Sequence, residues 1–211
     1  MGTNTKWMVI ICLSLLSYCG QAQISYWSTL QPGKHDVGIK TFSRTTTDGN
    51  AMFLGVWYPA ENPDTMTLRV ADMILMANPA DPTPDSSRLS NYRTPLKWMF
   101  GQVIPASVFQ EIIAHPTRTI FNAKMKSGKF PLIIAHSEVA SYFPTFEFFA
   151  SHGYIVIGID GHLANESPPG PYHYSPYTNM SEEVLNYFIK EVYVDASDVT
   201  VFGHGFGIQP A

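Results

Sequence analysis

Gly203-His204-Gly205-Phe206-Gly207 carries the spacing of a G-x-S-x-G nucleophile elbow, close to the end of the 211-residue sequence. Such an elbow presents a hydroxyl at a sharp strand-to-helix turn, where a base can take its proton and the oxygen can attack an ester carbonyl. Glycine stands at position 205, where the serine would be. The turn is kept and the nucleophile is gone. The sequence to Ala211 is expected to be C-terminally truncated, without the acid and base that would follow an elbow. In a serine protease, loss of the nucleophile costs on the order of a million-fold in turnover, and the remaining site gives ~10³–10⁴ over water. Ordinary esterase turnover is therefore not expected.

No other residue replaces the missing hydroxyl in an obvious way. Ser137 and Ser141 lie near a second turn, but neither has a base at a defined position; Ser137 with His136 or His204 would need hydrogen-bond reach. His136 and His204 are expected as turn and packing residues. Asp160-Gly161-His162 offers two metal ligands and no evident third, so a polar strand-end turn is expected, with no metal and no cofactor. Phe143, Phe146, Phe148 and Phe149 are expected in the core rather than on a lipid-binding surface. The tyrosines at 172, 174 and 177 either line a cleft or belong to a mobile loop.

The elements that would position these groups alternate between strand and helix. Asp36 to Arg44 and Ala51 to Tyr58 read as a hairpin around the turn-rich 45–50 segment, with Pro59 stopping the second strand. Residues 78–91 are rich in Pro, Asp and Ser and read as an exposed loop. Thr94-Pro95 predicts a helix start. Val108, Phe109, Ile112 and Ile113 recur at helical spacing, and His115-Pro116 ends that piece. Phe130 to Ala135, Tyr154 to Ile159 and Val199 to Phe202 are short apolar runs suited to buried parallel strands. Between them, Pro144 to His152 predicts a helix closed by Gly153 at C′. Asn179 to Lys190 predicts another, with Asn179 and Glu182 as a capping pair and Val184, Phe188, Leu185 and Ile189 on one face. Asp195 to Asp198 reads as the turn into the last strand. The pattern predicts an α/β fold with a mostly parallel sheet and an N-terminal antiparallel hairpin. Reactive groups then gather at the carboxyl ends of the parallel strands, which are His136, Asp160 and Gly203.

Composition narrows the setting. Lys6 and the short apolar run from Trp7 to Leu16 read as a signal peptide over residues 1–22, cleaved after Ala22. A lipid anchor on Cys19 or an uncleaved membrane anchor are the lesser alternatives. Residues 23–211 form one domain that ends at the elbow, exported to the periplasm or beyond the cell, with no stable membrane span. Both cysteines, Cys12 and Cys19, fall in the leader, so the exported part has no disulfide. Losing Lys6 moves the formal charge from −4 to −5, which gives no support to nucleic-acid binding.

Several segments in this order resemble the α/β-hydrolase superfamily. Phe130 to His136 is similar to the strand leading to its His-Gly-x oxyanion turn, Ser151 to Val156 to the next helix end and strand, and Asp195 to His204 to the run into its elbow. Val37-Gly38 and Val56-Trp57-Tyr58-Pro59-Ala60 resemble the platelet-activating-factor acetylhydrolase-like and dienelactone-hydrolase-like branch. The resemblance implies a serine esterase acting on short-acyl or lipid-like esters. It implies Gly205 at the nucleophile position and the backbone N–H groups of Glu138 and Phe206 as oxyanion donors, with Gly203, His204 and Gly207 completing the elbow. The sequence departs from the pattern at Ser137 and Ile208, where the family has glycine, and at Glu138, whose carboxylate has the wrong sign beside an anion. Three outcomes follow: a truncated, disabled hydrolase; a binding module that uses the cleft without chemistry; or a poorly folding gene fragment. The uncovered edge of the Val199–Phe202 strand is an aggregation hazard that self-association would answer.

Overall fold

The computed structural model describes residues 31–47, 49, 51–61, 66–76, 105–136, 139–160 and 175–203. The chain divides into residues 1–32 and a second unit, residues 33–211.

Its framework is a six-stranded mixed sheet in the order β3-β1-β2-β5-β4-β6. β1 (Asp36–Thr45) and β2 (Ala51–Ala60) form the expected antiparallel hairpin. β3 (Thr119–Phe121) adds to β1 in parallel. β2 runs antiparallel to β5 (Ile155–Asp160). β4 (Phe130–His136) lies between β5 and β6 (Val194–Gly203), parallel to both. The helices are α1 (Val70–Met76), α2 (Ala106–Ala114), α3 (Val139–Ser151) and α4 (Ser175–Phe188).

Alternation along the strands divides the core into two layers. Leu132 and Ile134 of β4 face the layer that holds Met180, Val184 and Phe188 of α4. Ile133 and Ala135 face the layer that holds Phe143, Phe146 and Ala150 of α3. The two helices therefore cover opposite faces. α1 and α2 share a small third cluster, Ile74, Phe109 and Ile113.

Several expectations are refined. Pro59 lies inside β2 opposite Val37 rather than stopping the strand. β5 pairs with β2 only as far as Trp57; beyond it the 124–126 segment takes over, with the Lys126 N–H donating to Pro59 O and the Glu61 N–H to Lys124 O, both at 2.9 Å, so the pairing continues past the N–H that proline lacks. α3 starts at Val139, before Pro144, which falls inside the helix. Its end is as expected: Gly153 has φ 102°, its N–H donates to Ala150 O at 3.1 Å, and the Tyr154 N–H donates to Phe149 O at 3.2 Å. These are the paired bonds of a Schellman cap, and the Phe149 and Tyr154 rings pack edge to face at 5.9 Å to complete it. α4 starts at Ser175, so Asn179 and Glu182 are interior residues rather than a capping pair. Asp195 is the second residue of β6 instead of preceding it. The register jumps from Pro131↔Asp195 to Leu132↔Val199, and the Asp195 carboxylate accepts the backbone N–H and the hydroxyl of Ser197 within the bulge. Residues 78–91 and the Thr94-Pro95 helix start lie outside the described residues.

Candidate functional site

The strand order reverses at β4. From its carboxyl end the chain passes through α3 to β5 on one side, then through α4 to β6 on the other. The two helices cover opposite faces of the sheet, so the end of β4 is a topological switch point. In open α/β sheets such a switch point is where ligands bind. The register places His136 level with Ile159 of β5 and with Gly203 of β6. Asp160 lies one residue further along β5, level with Phe53 of β2. The three strand ends named from the sequence are therefore neighbours.

His136 is 5 % exposed. Its position in β4 turns it toward α4, and its Nδ1 lies 3.4 Å from Ser181 Oγ. Burial pushes its pKa down to about 4, because a buried imidazole resists protonation. The ring is neutral at physiological pH, and a base this weak takes little proton from a serine hydroxyl. This fits the packing role expected for it. Ser181 is itself buried within α4, and the pair ties that helix to the end of β4.

α3 begins at Val139, three residues after His136. Its N-terminus, the positive end of the helix dipole, thus follows directly from the end of β4. Of the six positions carried over from the family, Gly203 is described: it is the last residue of β6, beside His136. Glu138, His204, Gly205, Phe206 and Gly207 lie outside the described residues, as do Ser137, Gly161, His162, Tyr172 and Tyr174. Phe143 and Phe146 are buried in the core and Phe149 packs against it, as expected of that aromatic cluster, whereas Phe148 is half-buried outside the core, its ring against those of Phe149 and His152. Among the described residues, no helix is long and apolar enough to cross a membrane.

Sequence reasoning passed over Glu147. It lies on α3, 8 % exposed, and its carboxylate accepts the backbone N–H of Arg118. Burial pushes its pKa up to about 7, against the opposing pull of that hydrogen bond and of the Arg118 charge. Its signal was available: one carboxylate in the run Phe146-Glu147-Phe148-Phe149. Through Arg118 it holds the connector that leads into β3. Leu68 stitches the same connector to the start of α1, donating to Thr119 O and accepting from the Thr117 N–H and hydroxyl.

The fold matches that of an esterase. A ferulic acid esterase from Streptomyces cinnamoneus superposes with a TM-score of 0.58 at 15 % identity, over 86 % of this chain and 56 % of that one. Weaker likenesses are to brefeldin A esterase (TM-score 0.45, 14 % identity, 94 % and 42 % covered) and to the hypothetical protein PA2218 of Pseudomonas aeruginosa (0.39, 9 %, 83 % and 37 %). The chain thus spans little more than half the length of the ferulic acid esterase. No protein-family model matches the sequence, and no curated protein does. The fold is α/β, of the α/β-hydrolase type.

Proposed function

We propose that this chain is an exported α/β-hydrolase of the acetylhydrolase-like and dienelactone-hydrolase-like branch, built to receive a small ester or lipid-like molecule and disabled at its nucleophile. The observation that carries this reading is the meeting of His136 and Gly203 at the reversal of strand order. The elbow sequence leaves β6 at that point, and it has glycine at position 205. The argument for inactivity rests on residue 205 alone, whatever follows Ala211. Without a side-chain oxygen there, no acyl-enzyme forms at the elbow, while the switch point, and the backbone donors expected of Glu138 and Phe206, do not depend on that side chain.

The test is hydrolysis of p-nitrophenyl acetate by the purified chain and by Gly205→Ser. The unaltered chain is not expected to exceed a heat-inactivated control, because residue 205 offers no oxygen to attack the ester; turnover by Gly205→Ser alone would show that the nucleophile is the one missing group. A fluorophosphonate probe followed by peptide mass spectrometry adds a second readout. Stoichiometric labelling of a hydroxyl in the unaltered chain would overturn the proposal. Export is tested separately: secreted protein should begin at Gln23, after cleavage behind Ala22.

One observation favours a second reading, a binding module whose sheet is completed by a partner or a second copy. β6 ends the sheet, and Val201 is 40 % exposed, whereas β4 beside it is buried almost throughout. Sedimentation over a concentration series decides this; a monomer at all concentrations removes self-association.

A further inference from the structure

Two strands from β4, on the face that α4 covers, the hairpin and α4 enclose a cavity of about 270 Å³. Its floor is Met52 and Leu54 of β2 with Val184 and Phe188 of α4, each no more than 4 % exposed. Its polar rim holds Arg44, Tyr187 and Glu183. The guanidinium carbon of Arg44 sits 3.7 Å from the centre of the Tyr187 ring. Glu183 lines the same cavity but is engaged elsewhere: its Oε1 accepts the backbone N–H of Thr47 at 2.9 Å and the Thr47 hydroxyl at 2.7 Å. Among the described residues Arg44 has no carboxylate partner.

This arrangement has a chemical consequence. Stacking uses the face of a guanidinium and leaves its in-plane N–H edge for an acceptor. That edge forms a fixed fork matched to the two oxygens of a carboxylate. Lysine, a point charge, would not select a planar anion in the same way. Beside the fork lies an apolar floor whose side chains offer no hydrogen-bond donor and no acceptor stronger than the Met52 thioether. A ligand that satisfies both parts has a carboxylate at one end and a compact hydrocarbon body at the other. The volume sets its size: about nine water-sized volumes at ~30 Å³ each, below the range of drug-sized pockets. A single aromatic ring or a short branched chain fills it. A phosphate fits the charge but leaves the floor wet, and an uncharged ring leaves the fork without its acceptor.

We propose that the cleft between the β1–β2 hairpin and α4 is a binding site for a small monocarboxylate of the benzoate type, clamped by Arg44 on Tyr187 and seated on Met52, Leu54, Val184 and Phe188. None of the lining residues belongs to the elbow sequence, and binding here requires no catalysis. Thr47 holds the Glu183 carboxylate by two bonds, which spreads part of its charge and fixes the wall of the cleft.

The test uses sodium benzoate and its neutral isostere benzamide, titrated into the ¹⁵N-labelled full chain and followed by amide shifts. Benzoate is expected to saturate in about the millimolar range, with shifts concentrated on residues 44–54 and 183–188. Benzamide should bind about tenfold more weakly, since hydrogen bonds to charged groups contribute more than neutral ones. Arg44→Gln should weaken benzoate about tenfold and leave benzamide unchanged; Arg44→Lys should fall between. Glu183→Gln should tighten benzoate slightly by removing a like charge. Equal affinity for benzoate and benzamide in the unaltered chain overturns the proposal, and that comparison stands even if a variant fails to fold. No saturable binding, or shifts confined to other residues, overturns it as well.

Discussion

The α3 face of the sheet buries the carboxyl of Glu147, and the α4 face buries the imidazole of His136. Both are less than a tenth exposed, and the largest cause of both shifts is the loss of water around the charged form. The directions differ because one charge is negative and the other positive. The carboxyl of Glu147 is pushed up to about 7, and the imidazole of His136 down to about 4. Each face therefore favours the neutral form of its group. Their contributions to stability run in opposite senses. Glu147 holds its proton more tightly when folded, so its contribution is full below about 4.5 and is lost as pH rises toward 7. His136 holds its proton less tightly when folded, so its contribution is full above about 6.5 and is lost as pH falls toward 4. Between those limits the two slopes oppose one another and flatten the stability of the whole.

The comparison can be broken most forcefully by emptying each face. Phe146 packs on Trp57 with ring centres 5.0 Å apart on the α3 face, and Phe188 is 1 % exposed on the α4 face. Phe146→Ala and Phe188→Ala should each cost about 3–5 kcal/mol in urea unfolding. A loss under about 1 kcal/mol for either would mean that its helix does not seal its face.

The charges come next. Glu147→Gln keeps an acceptor for the Arg118 N–H but cannot ionise. It should be more stable than the unaltered chain at pH 8, by up to about 3 kcal/mol, with the advantage vanishing near pH 4. His136→Gln should lose the destabilisation between pH 6.5 and 4 that the unaltered chain shows. Unfolding midpoints of the two variants across pH 4–8 should slope in opposite directions; parallel profiles would refute the opposition of the faces.

The smallest effect sharpens the packing of the α4 face. The Tyr58 hydroxyl donates to Ala123 O at 2.7 Å inside the core, and Tyr58→Phe strands that carbonyl, at about 1–2 kcal/mol. Its phenol is pushed up to about 12 by burial, so the cost should be constant across the same pH range.

Much of the framework was legible in the sequence. β4 and β5 are apolar runs of strand length with turn signals at each end, and such runs have few alternatives. The Gly153 cap was legible because a positive φ at a helix end selects glycine. Other features were hidden for physical reasons. β3 has three residues, too few for periodicity, and exists because β1 has a free edge. Pro59 looked like a breaker, because only the tertiary structure shows that its carbonyl accepts from Lys126 and that the 124–126 segment continues the pairing where β5 stops. Asn179 and Glu182 have the chemistry of a cap, but helical order extends four residues beyond them, so their side chains never meet free N–H groups.

The candidate site divides in the same way. The sequence alone determined that three apolar strands end in His136, Asp160 and Gly203, and that position 205 has no oxygen to offer, because both follow from residue type and short-range spacing. Only the tertiary structure decided that β4 lies between β5 and β6, that His136 and Gly203 therefore meet, and that Arg44 and Tyr187 stack across a cleft. Those facts depend on which strands exchange hydrogen bonds and which face each crossover helix covers, and contacts between residues far apart in sequence fix both.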